Sequence, residues 1–125
     1  MLRILTIEDE ENIRDTIVET LSMEGFEVIQ AENGKVGLKL AQKHLPDLIL
    51  CDVLMPELDG YDVLRQLNQN RQTQGIPFIF LTAKDTSDDF RYGMNLGAND
   101  YLMKPFTTQE LVMAVKSRLQ RYRME

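Results

Sequence analysis

The chain has 125 residues, the size of one compact domain, and its hydrophobic and charged shares of 43% and 27% are those of a soluble globular chain, not a disordered or fibrous one. A formal charge of −6 argues against direct nucleic-acid binding, because neutralising a phosphate backbone takes clustered cations. Apolar runs of strand length, an N-terminus without a signal-peptide cleavage site and a single cysteine, Cys51, predict a cytoplasmic protein with no membrane partner and no intrachain disulfide.

Arg3 to Ile7 reads as a first strand, ended by the acidic run Glu8-Asp9-Glu10-Glu11. A helix follows with Ile13, Ile17 and Leu21 on one stripe, and Gly25 stands where it should stop. Val28 to Ala31 predicts the second strand, and His44 falls late in the second helix, where a mild dipole effect is its expected role. The third strand, Leu48 to Cys51, is apolar at consecutive positions, the pattern of a strand covered on both faces, and it breaks on Asp52. Asp59 before Gly60 is a cap for the third helix.

Pro77 to Leu81 is the fourth strand, with Thr82 at its end. The fourth helix, Thr86 to Leu96, has a ragged apolar pattern and Gly93 inside it, both of which lower its local stability, and Gly97 marks its end. Tyr101 to Met103 predicts the fifth strand, followed by Lys104-Pro105. Thr107 and Glu110 form a capping box that opens a last helix with Leu111, Val115 and Leu119 on its stripe. Met55, Met94, Met103 and the other methionines read as core filling. Lys116, Arg118, Arg121 and Arg123 read as cations of the final helical turns.

Strand and helix alternate five times, which predicts an α/β, doubly wound, mostly parallel sheet with helices on both faces. In such sheets ligands bind beyond the carboxyl ends of the strands. Glu8, Asp9, Asp52, Thr82 and Lys104 meet there from distant positions. Three neighbouring acids repel one another unless a cation joins them, and a hard divalent ion such as Mg²⁺ suits oxygen ligands and a phosphate together. Thr82 can donate a hydrogen bond and Lys104 a compact charge to a phosphoryl group, leaving Asp52 as the nucleophile and an aspartyl phosphate as the product.

The segments I-L-T-I-E-D-E-E, L-I-L-C-D-V-L-M-P-E-L-D-G, F-L-T-A-K and G-A-N-D-Y-L-M-K-P-F resemble the receiver domain of two-component response regulators, including the chemotaxis-type single-domain receivers. The resemblance covers essentially the whole chain. It implies a flavodoxin-like (βα)5 fold with strand order 2-1-3-4-5. It implies that Asp52 is the phosphoacceptor, Asp9 a direct and Glu8 a water-mediated metal ligand, and that Leu54 offers its backbone carbonyl to the metal. Thr82, Ala83 and Lys104 then hold the phosphoryl group, Thr82 and Tyr101 form the switch pair, and the Lys104-Pro105 bond is cis. Leu54 and Lys84 stand where the family tunes hydrolysis; a leucine side chain cannot hold the attacking water and Lys84 can pair with a phosphoryl oxygen and shield it, which implies a long-lived phosphate.

The implied partners are a sensor histidine kinase or phosphotransfer protein, and an output domain, a downstream protein or a second copy of the chain docking on the face of the fourth helix, fifth strand and fifth helix. The protein would be not an enzyme but a phosphoacceptor switch that promotes its own phosphotransfer and dephosphorylation. A phosphorylation-independent interaction module of the same fold is the alternative, favoured by loss of Asp52, Lys104 or the acidic pair, all of which are present. A nucleotide binder is disfavoured because G-x-x-x-x-G-K-[ST] and G-x-G-x-x-G are absent. The receiver is expected to span 1–125, and the last helix lacks a stop signal, which fits either a single-domain regulator with a frayed end or, the preferred reading, a receiver cut from a longer regulator with a C-terminal output domain.

Overall fold

The computed structural model describes the backbone of residues 1–83 and 87–123 and the side chains of residues 1–83 and 89–120. Strands and helices alternate as β1 (Arg3–Ile7), α1 (Glu11–Met23), β2 (Glu27–Ala31), α2 (Gly34–His44), β3 (Leu48–Asp52), α3 (Gly60–Asn68), β4 (Phe78–Thr82), α4 (Ser87–Asn95), β5 (Asp100–Met103) and α5 (Thr108–Arg123). The strands form one parallel sheet in the order β2-β1-β3-β4-β5. This is the flavodoxin-like arrangement, with β3 at the centre and Asp52 as its last residue.

Consecutive apolar residues in β1, β3 and β4 point alternately into two separate cores. On one face, Leu5, Ile7, Ile49, Cys51, Phe78 and Phe80 meet the apolar sides of α2 and α3. On the other, Ile4, Leu50, Ile79 and Leu81 meet Ile17 and Leu21 of α1 and Leu111, Val115 and Leu119 of α5. The central strands therefore lie between helical layers, and the buried carboxylates, Glu8 and Asp52, stand at strand ends.

The local signals stand where the sequence puts them. Gly25 and Gly97 follow α1 and α4 with φ of 92° and 105°, the left-handed region a helix end favours. Asp59 and Asp62 form a reciprocal capping box on α3, and Thr107 and Glu110 form another at the start of α5. The Lys104-Pro105 bond is cis. Among the described residues no helix is long and apolar enough to cross a membrane. The expectation for the methionines needs correction. Met55 is buried, but Met94 and Met103 are 36% and 39% exposed, and Met23 and Met113 are more open still. Met103 ends the edge strand and Met94 lies on the outer side of α4, so neither has a second layer to cover it. Lys116 pairs with Glu24, the residue that follows α1, and Arg118 with Asp100 of β5, so these cations tie α5 to its neighbours.

Candidate functional site

Two strand ends deliver the acids. β1 ends at Ile7, and Glu8 continues inward, fully buried, with its amide donating to Ala31 O at 3.0 Å. Its Oε2 accepts from the Glu10 amide at 3.1 Å, satisfying an open N–H at the start of α1, and Arg14 Nη1 holds the Glu8 carbonyl at 2.8 Å. Asp9 turns outward at the rim. Asp52 closes β3 and is only 5% exposed. Carboxylate oxygens of Glu8, Asp9 and Asp52 lie within 4.8 Å of one another.

The cation and the hydroxyl come from the other half of the sheet. Thr82 ends β4, buried, one residue beyond Leu81, which faces Asp52 across the β3–β4 ladder. Its carbonyl accepts from the Lys104 amide at 2.9 Å, so the loop after β5 is tied to the end of β4. From there Lys104 Nζ reaches Glu8 Oε1 at 2.7 Å and Asp52 Oδ2 at 3.3 Å. Burial raises the Asp52 carboxyl to about 7, with repulsion from Glu8 adding to it and Lys104 only partly compensating. Burial alone would lower the Lys104 ammonium, but the Glu8 and Asp52 carboxylates outweigh it and hold the group above its usual value. Cys51 beside the site is a buried thiol pushed well above its ordinary range by burial and by the neighbouring acids, which makes it inert.

An all-oxygen set of three carboxylates fits a hard divalent cation and would not select a soft one. Burial is the main reason the Asp52 carboxyl is raised, and Glu8 adds to it more than Lys104 takes away, so one ammonium does not balance the acids. The structure thus brings together Glu8, Asp9, Asp52, Thr82 and Lys104. Leu54 follows on the same loop with its side chain 53% exposed, leaving its carbonyl as the only group with which it could serve a cation. Ala83 follows Thr82 and is exposed at the rim. Lys84 lies outside the described residues. Tyr101 sits farther off, on β5, stacked beside Phe80 with ring centroids 5.2 Å apart.

Two features escape the sequence reading. Glu8 is long enough to take the nearer contact with Lys104, leaving Asp52 the more distant one. Tyr61 of α3 lies 3.4 Å from Tyr101 through the two hydroxyls and stacks edge-on against Phe80 and Tyr92. Tyr61, Arg65 and Asn68 follow one another at helical spacing, a signal present in the sequence, but a polar stripe of that kind ordinarily faces water.

This combination, a 2-1-3-4-5 sheet with acids, a hydroxyl and a lysine at its carboxyl end, is the architecture of the chemotaxis-type receivers. The response regulator receiver domain matches residues 4–116, and the chain belongs to that family. It is 42% identical over 119 residues to the alkaline phosphatase synthesis transcriptional regulatory protein PhoP of Bacillus subtilis, covering 95% of this chain and 49% of that protein. It is 37% identical over 121 residues to the response regulator SaeR of Staphylococcus aureus, covering 97% of this chain and 52% of that one. The chain thus spans about half the length of the curated relatives it matches. Among solved structures, the chemotaxis protein CheY4 of Vibrio cholerae superposes with a TM-score of 0.90 at 30% identity, covering 94% of this chain and 98% of that one. A putative response regulator of Chloroflexus aurantiacus superposes with a TM-score of 0.89 at 37% identity, covering 95% and 98%.

Proposed function

We propose that the domain is a phosphorylation switch in which Asp52 accepts a phosphoryl group from a phosphohistidine of a sensor kinase or phosphotransfer protein. The supporting observation is the convergence of the Glu8, Asp9 and Asp52 carboxylates within 4.8 Å, with Lys104 Nζ 3.3 Å from Asp52. An Asp52 carboxylate oxygen attacks phosphorus, the P–O bond forms as the P–N bond to imidazole breaks, and the departing imidazole takes up a proton from solvent. Lys104 and the Thr82 hydroxyl, with the Ala83 amide, receive the phosphoryl oxygens as they spread around phosphorus. Asp9 and Asp52, Glu8 through water and the Leu54 carbonyl would hold Mg²⁺, which supplies charge neutralisation between the acids and the incoming phosphoryl group.

Thr82 and Tyr101 pass the event on: a Thr82 hydroxyl drawn toward the phosphoryl group opens space that Tyr101 fills, altering the face made by α4, β5 and α5. That face would meet an output domain, a downstream protein or a second copy of the chain. With a charge of −6 the domain itself is not read as a nucleic-acid binder. We read it as a cytoplasmic phosphoacceptor, not a turnover enzyme, and as the regulatory part of a longer regulator with its output domain beyond α5. The alternative, a module that signals without phosphate, is separated by one experiment. Intact-mass spectrometry after incubation with acetyl phosphate and Mg²⁺ is expected to show one phosphate adduct in the parent and none in Asp52→Asn. No adduct in the parent, or one that survives the substitution, overturns the reading.

A further inference from the structure

Gly93 lies buried in α4 directly over the ring of Tyr101. A Cβ placed on it would overlap the Tyr101 hydroxyl, and would stand 2.8 Å from Tyr101 Cζ and 2.9 Å from Phe80 Cε2, closer than side chains tolerate. Its backbone is not in the left-handed region, so the main chain does not require glycine here. Helix propensity argues against glycine, which costs about 1 kcal/mol relative to alanine inside a helix. What glycine supplies at this position is space.

Tyr101 uses that space. Its hydroxyl donates to the Asp89 carbonyl at 2.7 Å, one helical turn before Gly93, and lies 3.4 Å from the Tyr61 hydroxyl. Its ring packs between Phe80 and Phe90, with centroids 5.2 and 5.0 Å away. Burial raises the phenol well above its ordinary range, with Tyr61 adding to the effect, as expected of a hydroxyl enclosed by protein. The hydroxyl can reach a carbonyl on α4 only because position 93 has no side chain.

We propose that Gly93 is the positioning residue that seats Tyr101 against α4, and so sets how readily the ring leaves for the space beside Thr82. The inference rests on the reading of Thr82 and Tyr101 as a switch pair. When a methyl group is added at 93, the ring is what gives way: its hydroxyl is the far end of a rotatable side chain, whereas Phe80 is fixed in the central sheet. The unseated fraction rises, and a ligand that binds only the unseated form binds more tightly by the factor of that rise.

The test compares the parent, Gly93→Ala, Tyr101→Ala and the double variant. Without ligand, aromatic NOEs from Tyr101 to Phe90 and Tyr61 are expected in the parent and lost in Gly93→Ala. With Mg²⁺ and beryllofluoride, Gly93→Ala is expected to bind beryllofluoride about threefold or more tightly than the parent, while the double variant matches Tyr101→Ala. A purely structural penalty at 93 would leave binding unchanged or weaker, and would persist without Tyr101. The proposal is overturned if the NOEs survive in Gly93→Ala, if binding does not tighten, or if it tightens equally without Tyr101. Should Gly93→Ala fail to fold, removal of the Tyr101 ring must restore folding in the double variant, and failure there also overturns it. A parent that binds no beryllofluoride would sink the phosphoacceptor reading, leaving the NOEs to decide the seat.

Discussion

α5 and α4 flank the same edge strand and are attached to the body by opposite means. α5 buries Leu111, Val115 and Leu119 at successive turns against Ile4, Ile79 and Leu81, with its first turn closed by Thr107 and Glu110. α4 leaves Phe90, Tyr92 and Met94 exposed, and among the described residues it meets the body through the buried Gly93, the ring contacts of Phe90 and Tyr92, and hydrogen bonds made by side-chain tips. Asn68 donates to the Leu96 carbonyl just past its end at 2.7 Å, Tyr101 donates to the Asp89 carbonyl, and Arg65 bonds the Tyr92 hydroxyl while lying 5.8 Å over its ring. Apolar burial has no direction and is lost only by exposing area, whereas a hydrogen bond of about 1 kcal/mol can be exchanged for another. One helix is therefore a fixed part of the body, and the other can be reseated.

The comparison fails most visibly if Leu111→Ala is tolerated. Truncating this fully buried side chain should cost about 2–5 kcal/mol of global stability, read as a lower urea midpoint with an unchanged slope. A loss under 1 kcal/mol would mean that α5 is held as loosely as α4.

Removing a charge from the site sharpens the contrast, because it strengthens the whole body and favours neither helix. The Asp52 carboxyl is pushed up to about 7 from an ordinary 3.8, so the folded state is penalised when that group is ionised. Stability should therefore rise as pH falls from about 7 toward 4, where the folded protein binds the extra proton. Without divalent cations, Asp52→Asn should gain about 1–2 kcal/mol at pH 8 after allowance for solvent screening, and the gain should fade toward pH 4. Urea midpoints at pH 8 and pH 4.5 in a chelating buffer check this, and a gain independent of pH would rule out the carboxyl as its source.

The smallest effect is expected at Asn68. Asn68→Ala should speed amide exchange in α4 about two- to tenfold, through loss of the bond to Leu96, with the urea midpoint almost unchanged. A midpoint that falls in step with the exchange would show that α4 opens only with the rest of the molecule.

The same difference explains what could be read from the sequence. Apolar runs, capping boxes and the glycines after α1 and α4 are local signals, so they locate β3, α5 and the Asp52 end of the sheet directly. The acids, Thr82 and Lys104 are legible because each lies within a few residues of a strand end that those signals fix. The seam of Tyr61, Arg65 and Asn68 is not, since whether a polar stripe meets water or a second helix depends on where that helix lies. Gly93 reads from sequence as a weakness in α4, and its fit to Tyr101 emerges only when residues eight apart are seen in contact. The exposed methionines fail for the related reason that an edge strand and its helix have one covered side.

The loop after Asp52 acts mechanically as a fixed bearing. Val53 donates to Leu81 O at 2.9 Å, and Gly60, the first residue of α3, donates back to Val53 O at 2.9 Å, closing the loop on itself. A Cβ on Gly60 would stand 3.0 Å from Val53 Cα, so helix and strand end rest backbone on backbone without a compressible side chain between them. The start of α3 and the end of β3 must then move as one rigid piece. A load applied at Asp52 finds no travel on that side, and the compliance has to come from the opposite mounting, where α4 rests on side-chain contacts.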